Sequence, residues 1–236
     1  MASRSVSPEF SPLAFGEELT AVPAYKAAST TSVNFSNLLE PPLQLHEDLK
    51  SGCGGQLWPA GMVLAQQMLR YHKDSLKDAR ILELGAGGGL VGLGVALGCK
   101  LDNPLYITDQ ENMIELMRKN IQLNGLESRV KDLVLNWGDP LPEDIINQKP
   151  NLILAADCVY FEPAFPLLLA TLEDLLELCK ESVIYFCFKK RRRADMQFMK
   201  NARKKFVVEE VEDQDREVFS REALFLYTFR RKPLTL

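Results

Sequence analysis

The chain has 236 residues, enough for one domain with a sizeable buried core. Its 46% hydrophobic and 25% charged residues are the balance of an ordinary soluble globular protein, and a formal net charge of −4 argues against a protein built to coat nucleic acid. No apolar run approaches the ~18 residues of a membrane span, and "MASRSVSPEFSPLAF" at the start lacks the basic region and long apolar core of a secretory signal.

Residues 1 to about 30 are rich in Ser, Pro, Ala and Thr without sustained periodicity, and read as a mobile tail ahead of one domain over 31–236. "SVNFSNLLEPPLQLHEDL" alternates weakly around Pro41 and Pro42, as two short strands or an irregular cap covering about 31–60. "SGCGGQLWPAG" reads as a glycine-rich loop, and Met62 to Tyr71 carries helical spacing. From there strands and helices alternate. "ARILELG" reads as a strand and "LVGLGVALGC" as a helix; "PLYITD" is a strand and "ENMIELMRKNIQLNG" a helix that stops at Gly125. "VKDLVLNWG" and "NLILAAD" are strands, "FPLLLATLEDLLELC" a helix, "SVIYFCFK" a strand and "RADMQFMKNARKKF" a basic helix. "VVEEVED" and "ALFLYTFRR" close the chain as two strands with no helix between them. The pattern predicts an α/β fold: a Rossmann-like, doubly wound, seven-stranded, mostly parallel sheet, its final strand antiparallel and inserted at an edge.

The five cysteines, Cys53, Cys99, Cys158, Cys179 and Cys187, are odd in number, widely spaced and without a CxxC pair, and the only histidines are His46 and His72. This argues against structural zinc and a disulfide framework. Free buried thiols point to a reducing compartment, with the cytoplasm expected and the nucleus as the alternative.

"ILELGAGGGLVGLG" presents Glu83, then Gly85, Gly87 and Gly89, with Gly92 beyond. It fits GxGxxG from Gly87 and ExGxGxG from Glu83. Either match is weak alone, since such glycines serve a tight strand-to-helix turn as well as close approach to an adenosine ligand. The next strand ends in Asp109, where a carboxylate can accept both hydroxyls of a ribose, or merely cap the helix from Glu111. Trp137 offers a flat surface for an adenine or a ring for the core. The fourth strand ends "AADCVYF". Ligands of open α/β sheets bind beyond the carboxyl ends of the strands where strand order reverses. Asp157 is therefore expected opposite the glycine loop, with Tyr160 and Phe161 beside it. A carboxylate between aromatic walls suits an amine on a flexible apolar stem.

Together "ELGAGGGLVG", "TDQ", "LNWGD" and "DCVYFEPAF" resemble the seven-strand class I methyltransferases that use S-adenosylmethionine. More narrowly they are similar to the protein-lysine methyltransferases of the methyltransferase-like group, whose fourth strand ends in D-x-x-Y. "FCFKKRRRADMQFMKNARKKF" resembles the fungal branch that methylates translation elongation factors, elongation factor 1-alpha being the first candidate. The likeness runs from about Gly55 to Arg231. It implies S-adenosyl-L-methionine as cofactor without a metal, and a protein substrate without membrane or stable nucleic-acid binding. By the same resemblance Glu83, Gly85, Gly87 and Gly89 line the methionine end of the cofactor and Asp109 holds the ribose. Trp137 flanks the adenine, Trp58 closes over the cofactor, Ala156 completes the cofactor set, and Asp157 and Tyr160 face the lysine. Relatives that methylate amides or adenine N6 carry two prolines where Cys158 and Val159 stand, which weakens a base-modifying reading. A methyltransferase for a small molecule or nucleic acid is the alternative, and an inactive cofactor-binding protein is disfavoured by the intact D-x-x-Y.

A lysine amine has pKa ≈ 10.4, so presenting it neutral near pH ~7.4 costs about 4 kcal/mol. Asp157 alone raises that cost, because an anion favours the ammonium. Its expected task is therefore to anchor and aim the amine rather than to act as a strong base. Cys158 has no histidine nearby in sequence and is not expected to act covalently. The basic runs "KKRRR" (189–193) and "RKK" (203–205) are either a solvated face or a docking surface for an acidic protein patch or RNA. No dimer signal stands out, and a monomer is expected.

Overall fold

Strands buried along nearly their whole length must be covered on both faces, and two such strands form the middle of the sheet. In the computed structural model, which describes residues 28–49 and 53–233, β3 (Ile81–Leu84) and β6 (Leu152–Ala156) lie side by side and parallel. The N-terminal tail expected up to about residue 30 lies outside the described residues as far as residue 27. A hairpin of β1 (Ser29–Val33) and β2 (Leu43–Glu47) opens the described part, so the cap takes the two-strand form.

The remaining strands are β4 (Leu105–Asp109), β5 (Val130–Val134), β7 (Val183–Lys189), β8 (Phe206–Glu210) and β9 (Leu224–Arg231). Their order across the sheet is β5-β4-β3-β6-β7-β9-β8. β9 is antiparallel to both neighbours and sits one place in from the edge that β8 forms. The strand order reverses between β3 and β6, so the helices that follow β3 and β4 cover one face and those that follow β6 and β7 cover the other.

Alternation along the strands divides the core. Ile81, Leu105, Ile107 and Leu154 face α1 (Pro59–Tyr71), α2 (Leu90–Gly98) and α3 (Glu111–Leu123). Leu82, Leu84, Ile153 and Ala155 face α4 (Glu143–Gln148), α5 (Phe165–Leu178) and α6 (Arg193–Lys205). The second layer is aromatic: Phe186 stacks on Phe229 at 4.9 Å and on Phe198 at 5.4 Å between ring centroids. Helix α3 ends where expected, with Gly125 in the left-handed region at φ 62°. Among the described residues no helix is long and apolar enough to cross a membrane.

Two short helices depart from the sequence expectation. α7 (Arg216–Arg221) lies between β8 and β9, where no helix was expected, and α4 was not anticipated. Each is about a turn and a half and buries one residue, Phe219 in α7 and Ile145 in α4, so neither has a repeating apolar stripe to read. The segment before α7 is tied down from outside instead: Arg70 on α1 pairs with Asp213 at 3.2 Å and Asp215 at 2.8 Å.

The hairpin is fastened by two asparagines one turn apart, Asn120 on α3 and Asn124 at its C-cap. Asn120 is fully buried; its amide donates to the carbonyls of Gly88 (2.9 Å) and His46 (3.1 Å), and its oxygen accepts the His46 N–H at 2.8 Å. Asn124 exchanges the same pair of bonds with the backbone of Gln44, at 2.9 and 2.7 Å. These side chains replace a strand's backbone beside β2 and tie the cap to the glycine loop. Asn120→Ala strands three backbone groups, one buried and two partly buried, so thermal or urea unfolding should show a loss of about 2 to 4 kcal/mol.

Candidate active site

Above the carboxyl ends of β3, β4, β5 and β6 lies a cavity of about 690 Å³. Its floor is the turn from β3 into α2. Gly85 and Gly87 adopt φ 60° and 56°, a region where a side chain is strained. A Cβ at Gly87 would meet the Gly54 carbonyl oxygen at 2.3 Å, so the cap loop closes directly onto the turn. A Cβ at Gly85 would lie 3.0 Å from Cys158 Sγ and 3.1 Å from the Trp137 ring. The glycine turn and the end of β6 therefore bound one crevice. Gly89 departs from the expectation: it does not line the cavity, and its Cβ position faces Ile107 and Leu93 at 3.1 Å. In the left-handed region at φ 88°, it turns the chain into α2 behind the wall.

Three carboxyl groups reach this floor. Glu83 is buried, and Oε2 accepts the Gly92 N–H at 2.7 Å, bracing the first turn of α2. Burial pushes its pKa up to about 8, against the opposing pull of the Gly92 and Val91 N–H groups, so it is predominantly protonated at pH 7. Asp109 accepts the N–H of Gly87 at 2.8 Å through Oδ2 and that of Gln110 at 2.7 Å through Oδ1. Burial raises its pKa from the ordinary carboxylate value and these two bonds pull it back. The N-cap position of α3 is Gln110, without a side-chain cap bond, so Asp109 serves the glycine turn rather than the helix. Two of its roughly four acceptor positions are taken, which leaves room for two hydroxyls. Trp137 is half-buried and lines the cavity, as do Trp58 and Ala156.

Asp157, the third carboxyl, follows β6 with φ 58°, an uncommon backbone for a non-glycine residue. Its N–H donates to the Cys187 carbonyl at 2.8 Å, which holds the turn against β7. Its side chain is almost fully enclosed. Oδ1 accepts the Lys189 N–H at 3.2 Å and Arg191 Nη1 at 2.8 Å, while Oδ2 accepts Arg191 Nη2 at 2.6 Å. The guanidinium also lies 5.2 Å from the centre of the Trp58 ring. Tyr160 and Phe161, 49% and 56% exposed, stand at the open mouth. Cys158 is buried with its thiol pushed well above the ordinary range by burial and the nearby carboxylates, which makes it an inert packing residue.

Sequence reasoning missed Arg191, which it had placed within a surface basic run. Two residues past β7, next to β6, it is carried to Asp157 by register alone. The buried Asp195 then fixes the run: its Oδ2 accepts the N–H groups of Arg191 (2.7 Å) and Arg192 (2.8 Å), and Arg192 donates to the Tyr160 carbonyl. Lys205 pairs with Glu173, and Arg203 lies 5.4 Å from the Tyr227 ring centre. The outward-facing positive cluster is thus smaller than the sequence suggests.

The crevice lies at the reversal of strand order, with carboxyl groups at its floor, unfilled acceptor positions on Asp109 and an indole at its side, an arrangement that fits the class I methyltransferases. Its spare acceptors fit the hydroxyls of a nucleoside, and S-adenosylmethionine is the cofactor. A family model described as "Lysine methyltransferase" matches residues 37–205. The chain is 38% identical to "Protein-lysine N-methyltransferase EFM6" of Saccharomyces cerevisiae, over 86% of this chain and 91% of that one. It is 34% identical to "EEF1A lysine methyltransferase 3" of Mus musculus over about half of each chain (52% and 51%). The structure of P. horikoshii TYW2 in complex with MeSAdo superposes with a TM-score of 0.52 at 14% identity, covering 86% of this chain and 69% of that one, a likeness of fold. The chain belongs to the lysine methyltransferase family, and is a protein-lysine N-methyltransferase.

Two variants probe the floor. Gly87→Ala forces the Gly54 segment off the turn, and calorimetry should show at least a tenfold weaker affinity for S-adenosylmethionine. The raised pKa of Glu83 means that the folded state binds a proton the unfolded chain releases above its ordinary value of 4.5. Stability from this residue therefore falls as pH rises from about 4.5 to about 8. Glu83→Gln, neutral throughout, should gain stability relative to the wild type across that window in unfolding measured at pH 5 and pH 8.

Proposed function

We propose that the protein methylates a lysine of a translation elongation factor, with elongation factor 1-alpha as the first candidate, and that Asp157 and Tyr160 receive the incoming side chain. The observation that carries this reading is the placement of Asp157. It lies between the glycine turn and the open aromatic rim, in a strained backbone held by β7. The name of the mouse relative, given above, supports the choice of target, and the likeness of "FCFKKRRRADMQFMKNARKKF" to the fungal elongation-factor branch points the same way.

When bound, S-adenosylmethionine would supply an electrophilic methyl on a sulfonium to the amine lone pair, its sulfur leaving as a neutral thioether with the C–S pair and the nitrogen losing a proton to solvent. The protein's part is alignment. Glu83 and Gly85 line the inner end of the crevice, Asp109 takes the ribose, and Trp137 and Ala156 flank the adenosine. Asp157 accepts an N–H of the lysine, which fixes the direction of its lone pair. Tyr160 and Phe161 enclose the apolar stem and exclude water from the amine, which disfavours the ammonium. Fixed alignment of donor and acceptor is worth ~7–11 kcal/mol in well-oriented systems.

The test uses radiolabelled S-adenosylmethionine and cell extract lacking the endogenous enzyme. One labelled polypeptide with the mass of elongation factor 1-alpha is expected, and Asp157→Ala should lower its labelling by about 100-fold or more. Cofactor affinity, measured by calorimetry, should stay within a few-fold. Label in another polypeptide or in RNA would overturn the target, and full turnover by the variant would overturn the role of Asp157.

A further inference from the structure

Asp157 poses an electrostatic problem for the reading above, because a lone carboxylate beside the amine stabilises the form that cannot react. We propose that Arg191 solves it: the guanidinium is a positioning residue that cancels the Asp157 charge and leaves one acceptor place for a neutral amine. This inference rests on Asp157 being the group that receives the lysine.

The geometry is specific. The Arg191 fork grips both carboxylate oxygens, Nη1 to Oδ1 at 2.8 Å and Nη2 to Oδ2 at 2.6 Å. The Lys189 N–H takes a second place on Oδ1 at 3.2 Å. A carboxylate has roughly four acceptor positions, two on each oxygen. Oδ1 is full, and Oδ2 keeps one place. A neutral amine can donate one N–H there and keep its lone pair for the methyl. An ammonium meets a carboxylate already paired with a cation, and gains little from it.

The guanidinium is held from three sides: Asp157 takes the fork, the Lys189 carbonyl accepts Nη1 at 3.4 Å, and the Trp58 ring centre lies 5.2 Å from its central carbon. The buried Asp195 fixes the backbone beneath it by accepting the Arg191 N–H at 2.7 Å. It lines the cavity beside Tyr160 and Phe161, within reach of a side chain that enters between them. The other titratable or charged groups around this corner are Glu83 from β3, Asp109 from β4, Cys158 after β6, Cys187 and Lys189 on β7, Arg192 and Asp195 at the start of α6, Tyr160, and His46 from β2. Glu83, raised to about 8, titrates within the range that matters, but as part of the cofactor floor it is common to wild type and variant.

The test is the pH dependence of kcat at saturating protein substrate and S-adenosylmethionine, which reports ionisations of the assembled complex. In Arg191→Gln the Asp157 charge is no longer balanced, so the bound amine holds its proton to higher pH. The rising limb of kcat should move up by about one pH unit, with about a tenfold loss near neutrality that is recovered at high pH. Arg191→Lys keeps the charge without the fork; its limb should stay near that of the wild type while kcat falls. Cofactor affinity should change by less than about threefold in both. Arg191→Met, neutral and with a comparable stem, supplies the same reading if Arg191→Gln does not fold. A uniform loss at every pH in the neutral variants, or the failure of both to fold, would overturn the proposal and assign Arg191 to the framework alone. Full turnover by Asp157→Ala, which has no acceptor at all, would instead remove the reading beneath it, and the two failures are separate measurements.

Discussion

The parallel pairing of β3 with β6 is the constraint from which the rest of the site follows. Leu84 is opposite Ala155, so the two chains leave the sheet at the same edge within one residue of each other. From there they turn to opposite faces, because the helices that follow cover opposite sides. What opens between them is a crevice with a polar backbone turn on one wall and a carboxylate on the other. The contact position of a Gly85 side chain, 3.0 Å from Cys158 Sγ, shows how close the two walls come. A one-residue slip of β6 would exchange its faces, burying what now serves the cavity.

Within that crevice three carboxyl groups sit in different states for different physical reasons. Glu83 is buried far enough to retain its proton and acts as a neutral brace for α2. Asp109 is held by two backbone N–H groups, which favour its charge against burial. Asp157 is gripped by an arginine fork. The arrangement presents an acidic floor at the glycine turn and, across the crevice, a carboxylate already paired with a cation. The asparagine ladder of α3 then holds the N-terminal hairpin over the floor, so the cap and the glycine turn are one mechanical unit.

Much of this was legible from residue order. The alternation of apolar strands and amphipathic helices marks the doubly wound sheet, and "ELGAGGG", Asp109 and the D-x-x-Y stretch mark the crevice, because each depends on spacing within a short segment. Gly89 misled because a glycine needed for helix entry and one needed beside a ligand look alike in sequence. Arg191 was invisible in a different way: in "KKRRR" it is chemically identical to its neighbours, and only β7 pairing with β6 brings that one residue to Asp157. Helices α4 and α7 were illegible because one buried residue each makes no period.

The amino-acid order by itself determined the class of fold and the identity of the acidic and aromatic residues at the strand ends, since local periodicity and turn chemistry act over a few residues, and the resemblance of its motifs to the methyltransferases pointed to the cofactor. The tertiary structure alone decided which arginine neutralises Asp157, which glycine faces inward, and where the last strand inserts. Those outcomes depend on contacts between segments distant along the chain, and such contacts leave no trace in the spacing of either segment.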